Sequence, residues 1–249
     1  MSIVSCSNSS DVSCSSVCFR CQAISATIKE VEASSAQGLV LASSAPTILS
    51  AGLDLTELHN PDTERLPKFW KSFQQLFVDL YGSPLATVAA IEGHAPAGGC
   101  MLSMASDYRI MGAGEGKNIP RIGLNETQFG IVAPPWMAEL LLLTVGHREG
   151  EKALSLGTLY SPDEALNIGL VDEVVPSEEV LARAQAEAAK WAKIPSMARA
   201  ASKSIPRQPL LEKLIKTAEA DTKQFVAFTT NDAVQQHLGR YLESLQRKK

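Results

Sequence analysis

Residues 93–101, Gly-His-Ala-Pro-Ala-Gly-Gly-Cys-Met, constrain this chain more than any other stretch, because they turn an apolar strand into a helix through consecutive glycines. The run before them, Leu85-Ala-Thr-Val-Ala-Ala-Ile-Glu92, is nearly continuous in apolar side chains, the pattern of a strand buried on both faces of a parallel sheet. Met101-Leu-Ser-Met-Ala can continue as a helix. Gly98 and Gly99 have no Cβ, so a ligand carbonyl can approach their main-chain N–H groups closely. Such a turn holds an anion without a charged side chain. The same turn can also serve only to pack a strand against a helix.

Phosphate-binding patterns fail at this turn. Gly93-x4-Gly98 continues as Gly99-Cys100 and lacks both the lysine and the hydroxyl of a Walker loop. The segment Gly112-Ala-Gly-Glu-Gly-Lys-Asn118 has Met111 where the first glycine belongs and Asn118 where the hydroxyl belongs, so it reads as a surface loop. No Gly-x-Gly-x-x-Gly follows a strand, which leaves a dinucleotide site without an anchor.

With 249 residues and 45% hydrophobic content the chain can bury one α/β domain with a helical appendage. A net charge of −4 without a Lys/Arg stripe argues against a nucleic-acid surface. No run of about eighteen apolar residues predicts a membrane span. The ending Arg247-Lys-Lys249 reads as a solvated helix terminus.

The first 22 residues differ in composition from the rest, with eight Ser and four Cys (Cys6, Cys14, Cys18, Cys21) and little apolar periodicity. This predicts a disordered leader that contributes few core contacts. The cysteines are separated by seven, three and two residues, with no second Cys-x2-Cys to pair with the last two and no nearby His, so neither a zinc site nor a disulfide framework is supported. As a transit peptide the segment is Ser-rich but carries Asp11 and only one Arg, a weak signal.

Beyond residue 23 the pattern is regular. Ile24 to Ala33 has helical spacing, Gly38-Leu-Val-Leu-Ala-Ser43 reads as a strand, and Leu66, Phe69, Trp70, Phe73, Leu76, Phe77 and Leu80 form a helical stripe, more consistent with core than with a cofactor site. Asp107-Tyr-Arg-Ile-Met111 is a further strand, Ser161-x-x-Glu164 a capping box, and Val171-Asp-Glu-Val-Val175 a late edge strand. From Ser177 the chain is mostly helical, interrupted at Pro195, Pro206 and Pro209, and forms a packing or assembly layer. The expected organisation is a leader over 1–22, an α/β core over 23–176 and a helical region over 177–249.

Three motifs carry a resemblance. Ser50-Ala-Gly-Leu-Asp-Leu55, Pro96-Ala-Gly-Gly-Cys100 with Asp107-Tyr-Arg-Ile110, and Gly123-Leu-Asn-Glu-Thr-Gln-Phe-Gly-Ile131 resemble the crotonase superfamily, specifically its mitochondrial-type Δ3,Δ2-enoyl-CoA isomerases, from about Ile24 to the C-terminus. The resemblance implies a crotonase-like ββα spiral core with a C-terminal helical trimerisation region, a homotrimer, an acyl-CoA substrate and no cofactor, coenzyme A being part of the substrate. It also implies a mitochondrial matrix location and a role in fatty-acid β-oxidation.

In that family a double bond moves from the 3 to the 2 position after loss of a C2 proton, which requires the thioester oxygen to carry enolate charge. The resemblance places Leu53 and Gly98 as the two main-chain donors, with Ala51, Gly52, Leu53, Asp54 and Leu55 along the coenzyme A and Asn125 beside the substrate. Glu126 is the implied single base, returning the proton at C4, with Phe129, Ile131, Val132 and Trp136 as apolar surroundings that raise its pKa. Without the resemblance, Glu126 reads as a solvated loop carboxylate.

Met101 stands where hydratases of the superfamily carry a second glutamate, which favours isomerisation, and packing is a compatible role. His94 reads as a structural or surface histidine that can also reach coenzyme A. The antiparallel strands that open family members are missing here, the Ser/Cys-rich leader standing in their place, so the chain reads as an incomplete version of the fold with a sheet edge exposed. A crotonase-type hydratase or acyl-CoA hydrolase, or an inactive CoA-binding or trimer-assembly subunit, are the alternatives.

Overall fold

The computed structural model describes residues 2–6, 16–45 and 47–246. In chain order, β1 (Ser2–Cys6) and α1 (Ser16–Ala33) lead to β2 (Gly38–Ser43); α2 (Leu55–Leu58) and α3 (Leu66–Tyr81) connect it to β3 (Ala86–Ile91). The glycine turn comprises β4 (Ala95–Pro96) and α4 (Gly98–Ala105), followed by β5 (Tyr108–Gly112) and β6 (Ile122–Gly123). Then come α5 (Pro135–Val145), α6 (His147–Leu156), α7 (Pro162–Asn167), β7 (Glu173–Val175), α8 (Val180–Trp191), α9 (Ser196–Thr229) and α10 (Asp232–Gln246).

The described strands build a five-stranded parallel sheet in the order β1-β2-β3-β5-β7, with β4 and β6 pairing separately, also in parallel. The near-continuous apolar runs of β2 and β3 follow from burial on both faces. Leu39, Leu41, Ala89 and Ile91 face the main core, which holds α1 and α3, while Val40, Ala42, Val88 and Ala90 pack on Val180, Ala184 and Ala188 of α8. The stripe on α3 is buried throughout, and Ser161 and Glu164 exchange both bonds of the capping box at α7. Among the described residues no helix is long and apolar enough to cross a membrane.

Of the expected leader over 1–22, residues 2–6 and 16–22 are described, and both stretches lie in regular elements. Ser2–Cys6 is a strand running parallel to β2, and α1 starts at Ser16, so the expected boundary at 22/23 falls inside a helix on which Cys21 is buried. Parallel pairing to β2 satisfies the main chain of a segment whose side chains offer no apolar period. An antiparallel opening pair does not occur among the described residues; β1 alone occupies that edge. Cys14 and Arg247-Lys-Lys249 lie outside the described residues.

Pro195 ends a helical segment as expected, but Pro206 and Pro209 do not: both lie within α9. A proline inside a helix costs about 3 kcal/mol. Tertiary anchors on the same helix offset it. Arg207 donates to the carbonyls of Tyr81, Ala105 and Ser106, and Lys203 to that of Leu85. Both cations also clasp the buried carboxylate of Asp107, at 2.9 Å from Lys203 and 2.8 Å from Arg207.

Candidate active site

The loop 47–53 and the turn 93–99 lock together through their main chains. Leu49 donates to the His94 carbonyl at 2.9 Å and His94 N–H to that of Thr47 at 2.9 Å. A Cβ on Gly93 would lie 2.0 Å from the Thr47 carbonyl carbon, and one on Gly99 2.9 Å from the Ser50 oxygen, so these glycines permit the contact. The ring of exposed His94 accepts from the Arg121 N–H at 3.1 Å through Nδ1, which tethers the turn to the strand β6. This contact supports the structural reading of His94.

The unusual torsion of the turn falls on an alanine. Ala97 has φ 49° and ψ −113°, a region that side chains rarely enter and that typically costs about 1–3 kcal/mol. Its N–H donates to Gly123 at 2.8 Å and its carbonyl accepts from Met101 at 3.0 Å, contacts that hold the strain in place. Gly98 thereby becomes the first residue of α4, where a main-chain N–H has no intrahelical acceptor. Across from it, Gly52 at φ 84° donates to Ser50 Oγ, and Leu53 supplies the next main-chain N–H. A Cβ on Gly52 would stand 3.0 Å from that of Ala97 and 3.5 Å from Gly98 N.

Glu126 opens a short 3-10 turn, Glu126–Phe129, closed by Gly130 in the left-handed region at φ 75°. Thr127 and Gln128 fix the turn to the end of α6, each donating at 2.7 Å, to the Leu154 and Gly157 carbonyls. Glu126 is only 8% exposed, and its Oε2 is buried without a hydrogen-bond partner, as is Oδ1 of Asn125. Loss of hydration raises the Glu126 carboxyl to about 7. A buried carboxylate with a free oxygen and a pKa near neutrality suits proton abstraction and return.

Leu53, Gly98 and Glu126 line one cavity of about 670 Å³, its solvent mouth included. Ile131 and Val132 line it too, whereas Trp136 lies behind it, its ring 5.7 Å from that of Phe73, and Phe129 packs on Tyr241 of α10. Asp54 caps α2, accepting from the N–H and hydroxyl of Thr56, so its carboxylate is committed locally. Ala51 is exposed beside Gly52, and Leu55 packs among the residues around Leu58. Met101 is fully buried in the core.

Part of the cavity was not foreseen in the sequence. Trp70 and Phe73 of the α3 stripe are core residues that also line it, and α9 contributes Asp221, Phe225 and Phe228. Asp221 is a second carboxylate at the cavity, but its Oδ2 accepts from Trp70 Nε1 and Gln74 Nε2, both at 2.7 Å. Phe225 stacks on Trp70 with centroids 3.6 Å apart. The spacing of Asp221, Phe225, Phe228 and Thr229 is helical, a signal that was available in a region read only as an assembly layer. Among the described residues no cluster of His, Cys, Asp and Glu could hold a metal ion.

A parallel α/β sheet, a glycine turn at a helix start and one buried carboxylate, brought together in a cavity that Leu53 and Gly98 also line, make up the candidate site. The chain belongs to the enoyl-CoA hydratase/isomerase family, whose sequence profile matches residues 21–248. Enoyl-CoA delta isomerase 1, mitochondrial, of Mus musculus is 44% identical over 217 residues, which span 86% of this chain and 73% of the relative. The Homo sapiens protein of that name is 43% identical over 215 residues, 86% of this chain and 70% of the relative. The crystal structure of human mitochondrial delta3-delta2-enoyl-CoA isomerase superposes with a TM-score of 0.89 at 39% identity, covering 93% of this chain and 89% of that one. An enoyl-CoA hydratase from Bacillus halodurans, 22% identical, shares the fold with a TM-score of 0.80 over 90% of this chain and 89% of its own.

Proposed function

We propose that this chain is a Δ3,Δ2-enoyl-CoA isomerase that moves the double bond of a 3-enoyl-CoA to the trans-2 position. The observation that carries this reading is the single buried carboxylate of Glu126, one oxygen unpartnered, in the cavity that Leu53 and Gly98 also line. The thioester oxygen would lie between the N–H groups of Leu53 and Gly98, which stabilise the enolate as charge develops. Glu126 takes the proton from C2, holds it, and returns it at C4, so atoms balance without water or a cofactor. Asn125, next to the base in the chain, would contact the substrate, and the main chain over Ala51–Leu55 would hold the coenzyme A.

Hydration requires a second acid or base to handle water. Met101 cannot serve, and Asp221 has Oδ2 committed to two donors, which favours isomerisation over the hydratase and hydrolase readings. Exposed apolar residues such as Leu143, Leu156, Met197 and Ile205 leave surface for an assembly contact, the homotrimer and the matrix being what the family resemblance implies, and the names of the relatives support a mitochondrial location. Incubation with a 3-enoyl-CoA, and separately with a 2-enoyl-CoA, tests the activity. The isomerase yields 2-enoyl-CoA from the first and no hydrated or hydrolysed product from either; absence of any product leaves a CoA-binding or assembly subunit.

A further inference from the structure

The cavity that holds Glu126 is followed along α9 by a second one. Gly130, Ala227, Asn231, Val234 and His237 contribute to its lining, and none of the residues at the reacting end of the first cavity does so. Gln224 and Phe228 line both. They are the shared wall. Gln224 is an exposed, unbranched side chain, whereas the Phe228 ring is bulky and only about one-third exposed, at 36%.

The helix that carries this wall is pinned on the cavity side. Asp221 is bonded to Trp70 and Gln74, and Phe225 stacks on Trp70, so α9 is tied to α3 seven and three residues before Phe228. Beyond Phe228 the second cavity offers the apolar surfaces of Ala227, Ala233 and Val234, with Asn231 and His237 as polar members. An alkyl chain that outgrows the first cavity therefore meets one aromatic side chain, with further apolar surface behind it.

We infer that Phe228 determines acyl chain length, standing as a partition between the acyl pocket and a second cavity that takes the distal methylenes of longer chains. The inference rests on the isomerase reading and names the part of the substrate that reading leaves open. Removing the ring joins the two spaces and lets additional methylenes leave water, while enlarging it shortens the pocket.

The test is kcat/KM for a graded series of straight-chain 3-enoyl-CoA thioesters, short to long, with wild type, Phe228→Ala, Phe228→Leu and Phe228→Trp, each checked for its thermal midpoint. Phe228→Ala moves the optimum to longer chains, with a gain of up to about fourfold per additional buried methylene. Phe228→Leu moves it in the same direction by less, and Phe228→Trp moves it to shorter chains. Should the alanine variant fail to fold, the leucine and tryptophan variants still give opposite shifts. Wild-type turnover with variants that all keep its chain-length profile overturns the partition alone. A wild type that isomerises no member of the series overturns the isomerase reading, and the partition with it.

Discussion

Gly52 Cα lies 3.5 Å from the point where a side-chain carbon on Gly98 would stand, which puts the two main-chain segments of the site in direct contact. An added Cβ at Gly98 also meets the Phe73 ring at 3.4 Å, an ordinary contact, whereas at Gly93 it would fall inside the Thr47 peptide. The two glycines should therefore respond differently. Gly98→Val reduces isomerase turnover by about 10²–10³ while the thermal midpoint falls modestly. Gly93→Ala destabilises by about 3 kcal/mol or more, since a backbone atom must move. Turnover and midpoint measured on both variants separate these outcomes, and full activity in Gly98→Val reduces that residue to a packing turn.

Glu126→Gln keeps the shape of the base and removes its basicity. Isomerisation falls by at least about 10³, with acyl-CoA affinity changed by no more than a few-fold. Single-turnover kinetics and a binding titration check the pair. Turnover above a tenth of wild type would falsify the assignment of Glu126.

The raised pKa of Glu126 links activity and stability in opposite directions. Only the ionised form takes a proton, so kcat/KM falls about tenfold per pH unit below about 7. Folded Glu126 holds its proton more tightly than the unfolded chain does, so its contribution to stability is full below pH 4.5 and is lost as pH rises to about 7. Relative to Glu126→Gln, wild type should lose about 3 kcal/mol of stability between those pH values. Denaturant unfolding of both proteins at pH 4.5 and pH 8 measures it; a constant difference between them removes the linkage.

Asp221→Leu strips the acceptor from Trp70 Nε1 and leaves Gln74 Nε2 with only the Ala218 carbonyl, at 3.2 Å, in a largely buried contact. The expected cost is about 2–4 kcal/mol. Faster amide exchange in residues 218–229 should accompany it, because the α9 wall is no longer tied to α3. Asp221→Asn, which retains an acceptor oxygen, recovers part of the loss.

Removing residues 1–6 takes β1 from β2 and exposes the edge of a strand whose side chains are mostly buried. A lower thermal midpoint and concentration-dependent association in light scattering are expected. An unchanged midpoint restores the reading of this segment as a dispensable leader.

Most elements were legible in the sequence because burial imposes a period: β2 and β3 as apolar runs, α3 as a stripe, α7 through its capping box. Glu126, Leu53 and Gly98 were legible through motif order, which the fold then draws into one cavity. The strained residue was not. Two glycines beside Ala97 suggest that they absorb the unusual torsion, and only the contacts from Gly123 and Met101 show that alanine does. The Trp70–Phe225 stack joins residues far apart in sequence, and neither residue's local pattern encodes its partner. Pro206 and Pro209 mark a break by local rules, yet Lys203 and Arg207 anchor the helix through both, by contacts to distant carbonyls that no local pattern encodes. For β1, composition favours disorder, while the pairing depends on an edge supplied by β2.

Ala97 and Gly52 set the directions of the neighbouring Gly98 and Leu53 N–H groups through main-chain torsions. The acid is the exchangeable part, because Glu126 sits on a separate turn anchored to α6. A carboxylate placed elsewhere on the same frame would then meet the same two N–H groups, because what aims them is main-chain torsion and not a side chain.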